Sequence, residues 1–177
     1  MYTNDEGVVL LAHVDDLAIT GPPEAVARLR EAIAAQVKVQ WQDPVGAAWT
    51  KFLGRQIRYV DGSFQLRMAP EYYDLIAEEM DLLGARAVAA PLPPLSATKE
   101  DRSPRLSNVR SAVYRSLVGK LLWCVPIRMD LGCGVRELSR KVASPTEDDW
   151  SMLRHLVKYL RGTRTVAMHI KRGVLGA

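Results

Sequence analysis

Residues 8–21, VVLLAHVDDLAITG, decide how the rest of this sequence is interpreted. Two apolar runs, residues 8–12 and 17–20, are rich in strand formers and flank a polar centre. The stretch therefore predicts a tight β-hairpin with the carboxylates of Asp15 and Asp16 at or beside its turn. Because both flanks are apolar, we expect this hairpin to be buried rather than on the surface.

Two adjacent carboxylates on one turn suit a divalent cation. Like charges held close together disfavour each other's ionisation, and a divalent cation removes that penalty. Mg²⁺ prefers one or two carboxylates together with substrate phosphates, and two such ions can clamp the attacking and leaving oxygens of a phosphoryl transfer. Taken alone, however, an Asp-Asp pair is better explained as a structural Asx turn. The neighbouring sequence has to decide between these interpretations.

One helix and one strand are predicted directly after the hairpin. Gly21-Pro22-Pro23 should end the second strand and begin a helix, because Pro is tolerated in a first turn. Apolar residues at helical spacing continue this helix to Gln36. Residues 37–41 alternate between apolar and polar side chains, which predicts a strand.

A second hairpin and a second helix are predicted further along. Asp61-Gly62, a pair typical of tight turns, separates the predicted strands 52–59 and 63–68. Pro70 should begin a helix with its C-cap at Gly84. The buried face of this helix is predicted to hold Tyr73, Ile76, Met80 and Leu83.

Residues 85–108 form the one predicted boundary, because prolines followed by polar and charged residues do not sustain regular structure. Beyond it the apolar spacing is helical. Ser144-Pro145-Thr146-Glu147 has the residues of a capping box with Pro at the first helical position. Three helix faces are predicted to be buried: Tyr114, Leu117, Val118, Leu121, Leu122 and Val125; Leu131, Val135, Leu138 and Val142; and Trp150, Leu153, Leu156, Val157 and Leu160.

The net charge of +4 is unevenly divided along the chain. Residues 1–100 hold 9 Lys/Arg and 14 Asp/Glu, a balance of −5, whereas residues 101–177 hold 15 and 6, a balance of +9. A basic second half predicts a polyanion partner on that side, although charge alone is better explained by solvated helix faces.

Localisation is predicted from what the sequence lacks. No apolar run approaches the roughly 18 residues of a membrane span, and the N-terminus has no secretory signal pattern. Cys124 and Cys133 match no zinc-binding spacing and should be reduced. We therefore expect an intracellular chain that is neither secreted nor bound to a membrane.

Several motifs together resemble the reverse transcriptases of copia-type retrotransposons. Residues 8–21 are similar to the hairpin that carries the family's Tyr-x-Asp-Asp motif. Phe52-Leu53-Gly54, with the strand and turn that follow, resembles the primer-grip hairpin. The resemblance continues in family order through nearly the whole chain, at residues 80–94, 114–123 (YRSLVGKLLW), 127–131 (IRMDL), Leu138-Ser139-Arg140, Pro145, Trp150 and 158–163 (KYLRGT).

The resemblance implies an α+β fold. We expect a partial antiparallel palm sheet of two hairpins and one strand, followed by a mostly helical thumb and connection region. The implied division is a partial palm (1–68), a thumb-like helix (69–84), a linker (85–108), a basic helical region (109–163) and the first strand of a truncated RNase H-like domain (164–177). Missing palm strands would leave unpaired sheet edges that favour aggregation.

The activity implied is RNA-directed DNA polymerisation, in which two Mg²⁺ ions, or Mn²⁺ in their place, help add deoxynucleotides to a primer. The implied partners are an RNA or DNA template with its primer, deoxynucleoside triphosphates and the rest of the polyprotein, in a cytoplasmic virus-like particle. Asp15 would be the principal metal ligand and Asp16 its partner. The implied primer and template contacts are Phe52, Leu53, Gly54, Lys120, Arg154, Lys158 and Arg161; the four basic residues are equally well explained as exposed helix charges.

Three departures from the family pattern qualify this activity. His13 replaces the usual Tyr and should be a hydrogen-bonded strand residue on the same face as Asp15. Met129 replaces a Pro but leaves Arg128 and Asp130 available to pair. The chain also begins after the strand that carries the family's other catalytic Asp. We therefore expect residues 1–177 alone to be inactive.

Two other functions remain open. The first is a non-catalytic remnant that binds nucleic acid through the basic second half. The second is an unrelated metal-dependent phosphohydrolase built on the Asp pair. The latter needs further ligands, yet Asp130, Glu137 and the acidic residues 147–149 have local structural explanations. It is the weaker of the two.

Overall fold

The α+β class is confirmed by the computed structural model, which describes residues 1–93 and 103–171. These residues form two antiparallel sheets, of three and four strands, together with five α-helices and a short 3-10 helix. The chain divides into two compact units, Met1–Val45 and Gly46–Ala177. Across the described ranges, no helix combines the length and the apolar character needed to cross a membrane.

The first unit contains the predicted hairpin and the predicted helix. Its sheet has the order β1-β2-β3, and the helix α1 follows β3. Gly21 separates them at φ 153°, where an added Cβ would lie 2.9 Å from the Cα of Val8, so the close passage of the two segments requires glycine. The elements are β1 Tyr2–Thr3, β2 Val9–His13, β3 Asp16–Thr20 and α1 Pro23–Gln36.

Two expectations for this unit are wrong. Residues 37–41 do not form a strand, because no neighbouring strand pairs with them; instead Arg30 stacks over the ring of Trp41 at 5.0 Å. The hairpin is also not buried: Leu11 is 37% exposed, and Val8 and Ala25 are the buried apolar residues among the described residues of the unit. A three-stranded sheet with one helix has too little material to cover both of its faces.

The second unit is built around a four-stranded sheet with the order β4-β5-β6-β7. Both of its tight turns have two central residues at positive φ, Leu53-Gly54 (48° and 70°) and Asp61-Gly62 (50° and 70°), which is the type I′ pattern. The predicted strand 52–59 is therefore interrupted by a turn that we did not expect. The strands are β4 Thr50–Phe52, β5 Arg55–Val60, β6 Ser63–Met68 and β7 Met168–Lys171.

The two predicted hairpins thus belong to different sheets, not to one. The strand predicted near the C-terminus is present as β7 and pairs antiparallel with β6, with Leu66 opposite Met168. Residues 172–177, the remainder of the predicted RNase H-like segment, lie outside the described residues. The domain division inferred from the resemblance stays a prediction.

The helix predicted from Pro70 ends earlier than expected. Asp81 has a φ of 53°, and the N–H of Leu82 donates to the carbonyl of Ala77 at 2.8 Å. This is the Schellman arrangement, and it places the helix stop at Asp81 instead of Gly84. As a result Leu82, 1% exposed, takes the buried position predicted for Leu83, which is 44% exposed. The helices of this unit are α2 Pro70–Glu78, α3 Asn108–Cys124, α4 Gly132–Arg140 and α5 Glu147–Gly162, with a 3-10 turn at Met129–Leu131.

The capping box of α5 also lies two residues later than predicted. Thr146, not Ser144, is the N-cap: its hydroxyl accepts from the N–H of Asp149, whose carboxylate accepts from the N–H of Thr146 at 2.8 Å. Pro145 consequently precedes the helix instead of occupying its first position. The predicted capping box is therefore present, but it is formed by Thr146 and Asp149.

One hydrophobic core joins the helices on both sides of the predicted linker. Residues 94–102 of that linker lie outside the described residues; its described parts, 85–93 and 103–107, contain no helix or named strand. The predicted faces are largely confirmed, although Leu122 is half exposed and Val125, Val142 and Trp150 are only partly buried. The confirmed core positions are Tyr114, Leu117, Val118, Leu121, Leu131, Val135, Leu138, Leu153, Leu156, Val157 and Leu160.

Candidate functional site: a carboxylate turn and a turn beside Trp123

The carboxylate turn joins β2 to β3. His13 pairs with Asp16 across the hairpin, so Val14 and Asp15 are the central residues of the turn. His13 therefore shares a face with its cross-strand partner Asp16, not with Asp15 as expected, because strand alternation ends at the turn. Val14 has a φ of 51° and is 88% exposed. Left-handed backbone is unfavourable for a β-branched residue, and such strain often marks functional turns.

Both carboxylates are available to a cation. Asp15 and Asp16 are exposed, and neither carboxylate has a hydrogen bond or ion pair within residues 1–93 and 103–171. Free carboxylate oxygens are the hard ligands that Mg²⁺ prefers, and their exposure leaves room for waters and substrate phosphates. In the same described ranges no three His, Cys, Asp or Glu side chains are grouped closely enough to hold a metal ion. The turn therefore fits part of a metal site, with one pair of ligands.

The turn at Leu53-Gly54 lies beside an arginine and a tryptophan that were not predicted as site residues. The guanidinium of Arg55 stands 4.8 Å from the ring centroid of Trp123, which is 48% exposed. A Cβ on Gly54 would lie 3.9 Å from Nε1 of the same ring. The predicted primer contacts Phe52, Leu53 and Gly54 thus lie beside the half-exposed ring of Trp123, which also contacts the guanidinium of Arg55. Trp123 closes the helix motif noted in the sequence, which was the available signal.

The four basic residues predicted to contact template and primer are mostly engaged with the protein. Lys120 pairs with Glu79. Arg154 donates to the carbonyl of Met80 at 3.1 Å, and Arg161 donates to that of Leu82 at 2.8 Å. These two arginines satisfy backbone carbonyls in the turn after α2, which favours their structural interpretation. Lys158 is half-buried. Contact of these four with nucleic acid stays a prediction.

Arg128 and Asp130, which the sequence left available to pair, form an ion pair. Arg128, 1% exposed, donates from Nε and Nη2 to the two carboxylate oxygens of Asp130 at 2.9 and 2.7 Å. It also donates to the carbonyl and hydroxyl oxygens of Thr163 at 3.1 and 2.7 Å, and Tyr159 donates to Asp130 at 2.8 Å. Burial alone would raise the pKa of Asp130, but the hydrogen bonds from Arg128 and Tyr159 lower it. This network holds the end of α5 against the 3-10 turn.

The two cysteines are free thiols that differ in burial. Cys124 is buried, and burial raises the pKa of its thiol to about 12, so it stays protonated at neutral pH. Cys133 is exposed and free. Neither contributes to the features described above.

Comparison with known proteins finds relatives over almost the whole chain. The chain is 28% identical over 170 residues to a retrovirus-related Pol polyprotein from transposon RE2 of Arabidopsis thaliana, covering 94% of this chain. It is 26% identical over 167 residues to that from transposon RE1 of the same plant and 25% identical over 169 residues to that from transposon TNT 1-94 of Nicotiana tabacum. The chain spans only 11–12% of the length of these relatives. No family model and no solved structure matches. The matches confirm the resemblance found in the sequence.

Proposed function

Because the chain is related to the Pol polyproteins of copia-type retrotransposons, we propose that it forms part of an RNA-directed DNA polymerase. In this function deoxynucleotides are added to a primer paired with an RNA or DNA template, inside a cytoplasmic particle. The observation that carries the proposal is the β2–β3 turn, where Asp15 and Asp16 are exposed, unpaired among the described residues and adjacent to a strained Val14.

Each predicted site residue has a role in this proposal. Asp15 and Asp16 would hold Mg²⁺ or Mn²⁺, which when bound stabilises negative charge on the reacting phosphate oxygens. Phe52, Leu53 and Gly54 would hold the primer end beside the Trp123 ring. The described residues supply a pair of carboxylates at the turn, so a further ligand would have to come from outside the described residues. Residues 1–177 alone should then extend no primer.

The direct test is a chimera in which this chain replaces the matching segment of the Nicotiana tabacum polyprotein. DNA synthesis on a primed RNA template is measured. Asp15→Asn should lower the rate at least about hundredfold, as expected for loss of a preorganised electrostatic contact at the reacting group. Asp61→Asn, a matched change at the turn of the other hairpin, should leave the rate unchanged.

A chimera that fails to fold is distinguished from one that folds without activity by a measurement on residues 1–177 alone. Binding of Mn²⁺ to residues 1–177, followed by electron paramagnetic resonance, should be weak and should disappear in the Asp15→Asn/Asp16→Asn variant. The Asp61→Asn chain should bind like the parent. Full synthesis by an Asp15→Asn chimera, or Mn²⁺ binding that ignores both substitutions, would refute the proposal.

A second candidate is a nucleic-acid-binding protein without catalysis. It is favoured by the absence of a complete three-ligand group in the described ranges. On this hypothesis the chain binds nucleic acid, Asp15→Asn changes nothing, and the parent chimera synthesises no DNA although it folds. The chimera therefore distinguishes the two candidates.

A further inference from the structure

The four-stranded sheet carries a cationic face. Residues opposite one another in the β4–β7 register share a face, and side chains alternate along each strand. One face holds Met68, Leu66 and Met168, which are buried in or packed against the core. The other face holds Lys51, Gln56, Arg58, Gln65, Arg67, His169 and Lys171, and none of the four strands contains an Asp or Glu.

At the centre of this face two arginines share one tryptophan. The guanidinium carbons of Arg58 and Arg67 lie 4.3 and 4.0 Å from the ring centroid of Trp49, a half-buried residue that precedes β4. Such distances are well inside the range of cation–π attraction. We call Arg58, Trp49 and Arg67 the arginine clamp. The ring holds two like charges close together.

The clamp is ordered by neutral acceptors. Arg58 donates from Nε and Nη2 to Oε1 of Gln65 at 2.8 and 2.6 Å, and Arg67 donates from Nε to Oε1 of Gln56 at 2.8 Å. These amides fix the guanidiniums without neutralising them. The pKa of Arg67 is lowered, mainly by burial and next by the nearby positive charge of Arg58. Among the described groups Glu71 raises this pKa, but its effect is the smallest of the three.

This arrangement is complementary to an anion. Two adjacent cations held by neutral partners repel each other, and an anion binding both removes that repulsion. Guanidiniums match the geometry of phosphate oxygens and lose less freedom on binding when they are already held in place. Lys51 and Lys171 extend the same charge across the face, so the surface suits a chain of phosphates better than a single anion.

We propose that the arginine clamp binds successive backbone phosphates of a nucleic acid, with Trp49 as the positioning residue. This inference rests on the proposed function for the nature of the polyanion, but it does not depend on the carboxylate turn. It also differs from the charge-based expectation, because the clamp lies in the half of the chain with a net charge of −5, not in the basic half.

The test measures binding of residues 1–177 to a short fluorescein-labelled RNA–DNA duplex by anisotropy over a range of KCl concentrations. Arg58→Gln/Arg67→Gln should weaken binding about tenfold or more at low salt, because hydrogen bonds to charged groups are lost. Loss of two phosphate contacts should also make the slope of log K against log salt shallower by about 1.8. Arg136→Gln/Arg140→Gln removes the same charge from exposed positions on α4 and should change binding less than about twofold, as screened charges do.

Trp49→Leu separates positioning from charge. It leaves the net charge unchanged, yet it should weaken binding several-fold because the two guanidiniums lose their shared platform. Trp49→Phe should restore most of the affinity, since it keeps an aromatic face. Circular dichroism identifies any variant that does not fold. If Trp49→Leu is unfolded, positioning is judged from Trp49→Phe, which should keep most of the affinity that the double arginine variant loses.

Three results would overturn the proposal. The first is an equal loss of affinity in the two double-arginine variants, which would show a response to net charge alone. The second is competition by polyglutamate as strong as that by unlabelled duplex, which would indicate an acidic protein partner. The third is Trp49→Leu that folds and binds like the parent. The anisotropy measurement requires neither added metal nor DNA synthesis, so failure of the catalytic proposal and failure of this one are distinguishable.

Discussion

The two units of this chain differ most in what they bury. In the first, Val8 and Ala25 are the buried apolar residues among those described, and the strands of the hairpin are half-buried or exposed. In the second, a core of 20 described residues spans the sheet and all four helices. The proposed metal ligands therefore lie on the less packed unit, and the proposed phosphate-binding surface lies on the well-packed one.

A sequence motif can therefore be specific although its own unit buries few apolar residues. Few buried apolar contacts and exposed strand hydrogen bonds are the features of regions that open locally at low free energy. The carboxylate turn has both features, whereas the arginine clamp rests on a sheet whose other face is packed. We therefore expect the first unit to exchange its amide protons more readily than the second.

The largest expected difference between the two units is in the stability lost when a leucine is replaced by alanine in each. Leu121→Ala, at a position 0% exposed on α3, should lower the free energy of unfolding by about 2–5 kcal/mol through lost burial and a cavity. Leu11→Ala, 37% exposed on β2, should cost about 0.5 kcal/mol or less. Hydrogen exchange followed by mass spectrometry reports each unit separately. Equal losses in both variants would mean that the first unit has more of a core than the structure shows.

A smaller effect is the pH dependence of the second unit. The pKa of Asp130 is lowered in the fold, so its carboxylate binds protons less readily there than in the unfolded chain. The associated stability is present above the ordinary Asp value of about 3.9 and is lost as pH falls through the lower folded value. Urea unfolding between neutral pH and acid should show this loss, and Asp130→Asn should flatten it. An unchanged slope in Asp130→Asn would show that other carboxylates cause the acid sensitivity.

The smallest effect should appear at the carboxylate turn. Val14→Asn places a residue that tolerates positive φ at 51°, and little burial is lost because Val14 is 88% exposed. The free energy of opening β2–β3 should rise by about 1 kcal/mol, the cost of left-handed backbone for an ordinary residue. Slower amide exchange in peptides covering this hairpin measures the gain. Val37→Asn, at φ −138°, should bring none; faster exchange in Val14→Asn would argue against strain.

Local signals were enough for many elements of the fold. Pro23 and the apolar spacing that follows placed α1, and Asp61-Gly62 placed the second hairpin, because both depend on backbone preferences of adjacent residues. The strand predicted at residues 37–41 failed for the opposite reason, since a strand needs a partner that alternation alone does not supply. The early end of α2 was missed because a non-glycine residue, Asp81, takes the left-handed position that follows the helix.

The candidate site also has parts that could be predicted from local sequence and parts that could not. The resemblance carried by residues 8–21 predicted Asp15 and Asp16 as metal ligands without any structure, and that role stays a prediction. Trp49, Arg58 and Arg67 could not be grouped from the sequence, because their proximity depends on the register of β5 against β6 and on the path of the residues before β4. A charge count over residues 1–100 even pointed away from them.

By itself the sequence determined the α+β class, the carboxylate hairpin and the relationship to Pol polyproteins, because those depend on local periodicity, turn residues and the order of motifs. Only the tertiary structure decided that the hairpin has little core of its own, that Arg154 and Arg161 bond backbone carbonyls, and that an acidic half of the chain presents a cationic face. The physical reason is that burial, ion pairing and surface potential depend on which side chains meet in space, and strand register and helix packing bring together residues far apart in the chain.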